Sequence, residues 1–369
     1  MTGQNSASGV LPSQDIRSMI DSGVLQPEIP LVEGQIQPAS IDLRLGHKAY
    51  RIRASFLPGA TATVAERLTD FSMHEIDLTA GAVLEMGCVY LVPLLESISL
   101  PDGISAVANA KSSTGRLDLF TRLICDNGTE FDRLEPGYSG PLYAEISPRT
   151  FSVLARTGVR LNQMRFRSGD TRYSGEALRA LHESERLVHV EGEDGADIDT
   201  DGVGFSVSLR SNEDGPIGYR AKQHTGLIDL ENIGAYAINE YWDALYTDRH
   251  GRLILDPGAF YILASREAVH VPPTCAAEMT PYSALVGEFR VHYAGFFDPG
   301  FGHDAAGGSG ARGVLEVRCH ETPFALEHGQ IVGRLVYEAM RETPDILYGV
   351  GGLGSNYQGQ GLKLSKHFK

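Results

Sequence analysis

Along most of this 369-residue chain, apolar and polar residues alternate with a period of two, the mark of strands with one buried face. "SIDLRL" (40–45), "VYLVPL" (89–94) and "LYAEIS" (142–147) carry this pattern, and "RTGVRLNQMRF" (156–166) reads as a turn running into a strand. Two stretches change the period. "QDIRSMIDS" (14–22) reads as a short opening helix that Ser13 or Asp15 can cap, and "SGEALRALHESERLV" (174–188) as a second helix behind a serine cap. "EGEDGADIDTDG" (191–202) is acidic and turn-rich, which suits a surface loop. Strand patterns resume near "TGLIDLE" (225–231). With 42 glycines and 18 prolines between many short apolar runs, the chain is expected to be mainly β with a few short helices.

The chain also repeats itself. "VYLVPLLESISLP" (89–101) aligns without a gap on "FYILASREAVHVP" (260–272), an offset of 171 residues. At that offset Glu145 falls on Glu316, and Gly158 on Gly329. Two copies of about 150 residues argue for duplication of one β domain rather than for a solenoid. The expected organisation is a first lobe over 1–170, a linker with a short helix and an acidic loop over 171–222, and a second lobe over 223–369 that closes in a glycine-rich tail (348–369).

The net charge of −15 argues against a general nucleic-acid or anionic-membrane binder. An anionic small molecule stays open, provided its cations are gathered locally. No run of 18 apolar residues is present, and the first residues lack the basic start and apolar core of a signal peptide. Cys88, Cys125, Cys275 and Cys319 are widely spaced, which fits free thiols in a cytoplasmic protein.

"KSSTGR" (111–116) concentrates donors at the end of an apolar run: Lys111, Ser112, Ser113, a glycine and Arg116. Such a set suits a phosphate group, although it is not a P-loop. A solvated turn with Arg116 in a surface ion pair is the plainer alternative. The second copy has "YSALVG" (282–287) at the same offset, so most of the cluster is missing there. Glu145, in "AEIS", is a candidate general base if buried, and a surface glutamate if its strand face points outward. Asp298 in "FFDPGFG" and Glu316 in "GVLEV" form a matching acid pair in the second copy. No metal ligand set stands out. "HVE" (189–191) has no later CxxC, and "CHE" (319–321) is isolated.

"QPASIDLRLG", "KSSTGR", "EPGYSG" followed by "AEIS", and the terminal "NYQGQG" together resemble the dCTP deaminase family of the trimeric dUTPase-like superfamily, in its long two-lobe form. The resemblance implies two tandem distorted β-barrel lobes of the dUTPase-like (β-clip) type. It implies hydrolysis of dCTP to dUTP and ammonia without zinc, with Mg²⁺ arriving on the nucleotide. Residue by residue, Glu145 matches the catalytic glutamate, with Ser112 and Arg116 beside it. Lys111, Ser112, Ser113 and Arg116 match the phosphate loop. Glu135 stands where an aspartate near the sugar is usual, Tyr143 matches a residue of the base pocket, and Tyr348 and Gln360 match tail contacts. Asn356 replaces a common tail lysine.

The same resemblance implies a homotrimer with sites between lobes and dTTP as a candidate inhibitor. Complete sites in the first lobes are expected; the alternative pairs "KSSTGR" with Asp298 and Glu316 of a second lobe. Competing functions are a dUTPase, a bifunctional deaminase–diphosphatase and a non-catalytic nucleotide-binding regulator.

Overall fold

The alternating stretches become strands that pair twice in one pattern. In a computed structural model, which describes residues 8–190, 196–200, 202–210, 215–281, 289–291, 295–319, 321–350 and 359–369, strand Val89–Ser99 lies between Ser139–Pro148 and Lys48–Ile52. Facing this sheet, Arg160–Ser168 lies between Ile104–Ala110 and Ser40–Arg44. Leu43, Val92, Leu123, Ile146 and Phe166 fill the space between them, each no more than 1% exposed. The inward-pointing alternate residues of the sequence pattern are thus those that meet in the core.

The second copy repeats the register. Leu91 pairs with Glu145 and Ala144 with Val92 in the first lobe; Ile262 pairs with Glu316 and Leu315 with Leu263 in the second. All four residues of the second lobe sit 171 positions after their counterparts. The repeat read from the sequence is therefore a repeat of strand pairing, and the chain has a β-rich dUTPase-like fold in two lobes.

Residues 171–222 are not a linker. Helix Gly175–Glu185 buries Leu178 in the second-lobe core. Strand Val203–Ser208 is buried throughout and pairs with both Ile331–Ala339 and Phe260–Val269. Strand Gly218–Ala221 pairs with Trp242–Leu245 and Phe260–Val269. The acidic surroundings hide "VGFSVS" in a composition count, yet six buried residues suffice for a central strand. A third helix, Val64–Phe71, starts from a capping box in which Thr63 and Glu66 bond each other's backbone N–H. Its signal is present in "TVAE", although the surrounding alternation favours strand.

The lobes share a core. Phe151 of the first lobe packs edge-on against Tyr241 and Trp242 of the second, and Phe368 closes the cluster from the C-terminal segment. Strand Val153–Ala155 runs parallel to Ile228–Asp229, and Arg156 pairs with Asp229 at 2.7 Å. All four cysteines are free, and no helix among the described residues is long and apolar enough to cross a membrane.

One contact tests the place of the 171–222 segment. A Cβ on Gly313 would stand 2.2 Å from the ring of Phe205, which is fully buried. Gly313→Ala should therefore destabilise the protein by about 1–3 kcal/mol through overpacking. Urea midpoints measure it, and an unchanged midpoint would mean that Val203–Ser208 does not pack on the Ala311–Cys319 strand.

Candidate functional site

"KSSTGR" directly follows strand Ile104–Ala110 and forms one helical turn, Ser112–Gly115. The backbone N–H of Lys111 and the hydroxyl of Thr114 both donate to the Leu161 carbonyl, at 2.9 and 3.0 Å. These two bonds pin the turn against strand Arg160–Ser168. The outward donors then face a cavity of about 460 Å³ between the lobes. That size lies within the roughly 300–1,000 Å³ of small-ligand sites.

Opposite the turn stand Asp298 and Glu316 of the second lobe, 6% and 5% exposed. Glu316 projects from strand Ala311–Cys319, and its Oε1 is 3.8 Å from Nε of Arg116. Burial pushes the Glu316 carboxyl up to about 7, and Arg116 and a backbone N–H only partly oppose this. Asp298 sits in the turn after Phe296–Phe297. Arg165, fully buried in the first lobe, reaches its Oδ1 at 3.2 Å and donates to the Phe297 and Ala277 carbonyls. The same guanidinium lies 4.1 Å over the Phe296 ring. Burial also raises the Asp298 pKa, against the pull of Arg165. Phe296, Phe297, Phe301, Val314 and Met279 give this part of the cavity an apolar lining.

The remaining wall is cationic. Lys111 and Arg160 both pair with the buried Asp42, Arg160 at 3.3 Å, and Lys366 joins them from the C-terminal segment. The Lys366 pKa is lowered, first by burial and then by Lys111 and Arg160. Three cations thus stand together on this wall, two of them paired with the same buried carboxylate. Among the carboxylates lining the cavity, Asp42 is held by Lys111 and Arg160 and Asp298 by Arg165. No group of three or more His, Cys, Asp or Glu among the described residues is arranged to hold a metal ion.

The C-terminal segment closes the site. Ser365 donates to the Ser113 carbonyl at 2.8 Å, and Arg116 donates to that of Lys363 at 3.0 Å. Gln360 and Arg312 exchange two hydrogen bonds, and the Gln360 Oε1 is left buried without a partner among the described residues at the cavity wall. Tyr348 packs on Phe301, with ring centres 5.6 Å apart, and also lines the cavity.

The structure thus brings together Lys111, Ser112, Ser113, Arg116, Tyr348 and Gln360 with Asp298 and Glu316. It does not bring Glu135, Tyr143 or Glu145 to this cavity. Glu145 is 1% exposed and tied to Arg122, which stands directly opposite on the neighbouring strand, at 2.6 and 3.1 Å. Arg122 in turn lies 3.5 Å over the Phe131 ring. Tyr143 is packed with Ile52 and Leu91, and burial pushes its hydroxyl up to about 12. Glu135 is exposed and pairs with Arg133 at 2.6 Å. Asn356 and the second-copy loop 282–287 lie outside the described residues. Sequence reasoning missed Asp42, Arg160, Arg165 and Lys366. Asp42 lies inside "QPASIDLRLG" and could have been singled out there; the other three become neighbours only through the fold.

Two family models cover the chain. The 2'-deoxycytidine 5'-triphosphate deaminase N-terminal domain matches residues 7–170, and the corresponding C-terminal domain matches 174–368. A dCTP deaminase of Haloarcula marismortui is 30% identical over 164 residues, 42% of this chain and 79% of its own. A dCTP deaminase, dUMP-forming, of Parafrankia sp. is 32% identical over 160 residues, 42% of this chain and 74% of its own. The crystal structure of 2'-deoxycytidine 5'-triphosphate deaminase from Agrobacterium tumefaciens is similar with a TM-score of 0.86. It is 55% identical and covers 90% of this chain and 99% of that one.

Burial at Glu316 has a consequence for stability. Its folded pKa of about 7 lies above the ordinary 4.5, so the fold favours the protonated acid. That contribution is complete below the ordinary value and is lost as pH rises through about 7. Glu316→Gln, neutral at every pH, should exceed the wild type in stability at alkaline pH by on the order of 1–3 kcal/mol. The gain should vanish in mild acid. Urea midpoints on either side of neutrality read it, and an equal offset at both would contradict a desolvated carboxylate.

Proposed function

The chain belongs to the 2'-deoxycytidine 5'-triphosphate deaminase family, and from that premise we propose that its dCTP is deaminated in the cavity between the lobes, with Glu316 as general base and acid. The reaction is hydrolysis of dCTP to dUTP and ammonia. The observation that carries the assignment is the buried Glu316 carboxyl, raised to about 7, facing the loop 111–116 of the other lobe. A base that titrates near working pH serves proton transfer best.

In this reading the triphosphate lies against Lys111, Arg160 and Lys366, and the cytosine reaches toward Glu316. Glu316 takes a proton from water as its oxygen bonds to C4 of the ring. The electron pair displaced from the C4–N3 double bond is met by a proton on N3. Glu316 passes that first proton to N3, then takes the proton of the new C4 hydroxyl and gives it to the exocyclic amine, so that the C4–N bond breaks and ammonia leaves as the C4 carbonyl forms. Of water's two protons, one ends on N3 and one on ammonia. Ser112 and Arg116 are the donors that stabilise charge on the ring. Asp298, held by Arg165, is the acceptor for a sugar hydroxyl, the role that Glu135 was expected to fill. Gln360 and Tyr348 close the site over base and phosphates.

Asp42 and Asp298 are already engaged by Arg and Lys side chains, so Mg²⁺ bound to the triphosphate would supply charge neutralisation there without protein carboxylate ligands. We place the enzyme in the cytoplasm as a homotrimer, with dTTP as a candidate inhibitor, on the family resemblance alone.

Separate substitutions decide between the two glutamates. Glu316→Gln should lower kcat by about 10²–10⁴-fold, while Glu145→Gln should keep kcat near wild type. The pH profile of kcat/KM should fall on the acid side of about 7, where Glu316 becomes protonated. A dead Glu145→Gln enzyme beside an active Glu316→Gln enzyme would overturn the assignment. Ammonia release from dCTP measures both.

Lys366→Ala should raise KM for dCTP about 10- to 100-fold, the loss of one charge-assisted contact, and leave kcat within a few-fold. A loss confined to kcat would remove Lys366 from the phosphate subsite.

A further inference from the structure

A second cavity of about 720 Å³ opens between the lobes beyond Arg318, two residues along the strand from Glu316. Arg149 and Thr150 of the first lobe face Arg220, Lys222 and Arg318 of the second, over the ring of Phe260. Four cations meet only two carboxylates in this lining, Asp243 and Asp256. In a chain of net charge −15, such an excess is local and built.

The neutralisation of those cations is incomplete. Arg220 is shared between Asp243 and Asp256, at 3.4 Å from each. Lys222 stands 3.6 Å from the same Asp243 and donates to the Asn239 carbonyl at 2.6 Å. Arg149 has no acidic partner among the described residues. Guanidinium groups with spare donors, converging from two sides on an open space, match phosphate oxygens better than any other common ligand.

The cavity is also wired to the site already described. Arg318 bonds the carboxylate of Asp118 and the hydroxyl of Thr150, and Thr150 donates to Asp118 at 2.6 Å. Asp118 is buried and holds a left-handed backbone, φ 51°. Two residues earlier in that segment, Arg116 faces Glu316, two residues earlier in the Arg318 strand. The two lobes therefore meet in a ladder of two charged rungs, one in each cavity. An anion that drew Arg318 away would loosen the Asp118 rung and disturb its neighbour.

We propose that this second cavity binds a multiply charged phosphate group, such as the polyphosphate of a nucleotide, and that its occupation acts on deamination through Arg318 and Asp118. The binding claim stands by itself; the coupling claim rests on the catalytic reading of Glu316.

Calorimetric titration with inorganic pyrophosphate tests the first claim. The probe should still bind the Lys111→Ala/Lys366→Ala chain, in which the first cavity is weakened. Adding Arg149→Gln and Lys222→Gln to that chain should raise Kd at least tenfold. Loss of all binding in the first variant, or equal binding in both, overturns the site. Inhibition kinetics test the second claim. Pyrophosphate should inhibit the wild type in a mixed pattern and the Arg149→Gln/Lys222→Gln enzyme competitively. Purely competitive inhibition of the wild type overturns the coupling and leaves the calorimetric result standing. An active Glu316→Gln enzyme would sink the catalytic reading without touching the titration.

Discussion

A carboxylate kept out of water at the seam between two lobes is the constraint on which this structure depends. Glu316 belongs to one lobe, and its nearest cation, Arg116, belongs to the other. Desolvating a carboxylate is costly unless a partner stands close. At 3.8 Å, Arg116 is close enough to limit that cost and too far to abolish it. The geometry survives only if the lobes cannot slide. The shared aromatic cluster, the Arg165 reach to Asp298 and the docking of Ser365 on Ser113 each prevent that. Most of the inter-lobe architecture can be understood as holding one distance.

Much of this was legible in the sequence, for reasons that differ by residue. Alternation gave the strands because one face of each carries the apolar residues, even where the polar face is also buried, as in Ser40–Arg44. The offset of 171 gave the duplication because paired strands preserve register, as Leu91–Glu145 and Ile262–Glu316 demonstrate. "KSSTGR" stood out because donors so dense at a strand end are unusual in composition. The cationic wall was not legible, since Arg160 and Lys366 are 206 positions apart and meet only through the fold. The 171–222 segment was misread because a short buried strand was averaged with its acidic neighbours. The site's location was the hardest inference, because a sequence repeat does not say whether a loop meets the acids of its own copy or of the other.

A signal for that choice was nevertheless present. The second copy has departed from the shared pattern in its loop, and the first by one exchange of acid. The second copy has "YSALVG" where the first has "KSSTGR"; the first has Glu135 before its Pro-Gly where the second has Asp298. If each copy kept a whole site, the two halves would degrade together. Loss of the loop from one copy alone is the pattern expected when a single cavity draws its loop from one copy and its acids from the other. The structure has that cavity within one chain, with the loop half and the acid half face to face.

Glu145 and Glu316 make the same point in physical terms. They share a register, and both are almost fully buried, at 1% and 5% exposure. Burial therefore does not distinguish them; the neighbouring cation does. Arg122 lies directly across the ladder from Glu145 and gives one carboxylate oxygen two hydrogen bonds, while Phe131 fixes the guanidinium from above. That carboxylate is part of a strut, tied through its Oε1 to Arg122. Glu316 has the longer Arg116 contact, a backbone N–H and a cavity in front of it. One duplicated position is thus held in a close ion pair in one lobe and faces a cavity across a longer one in the other.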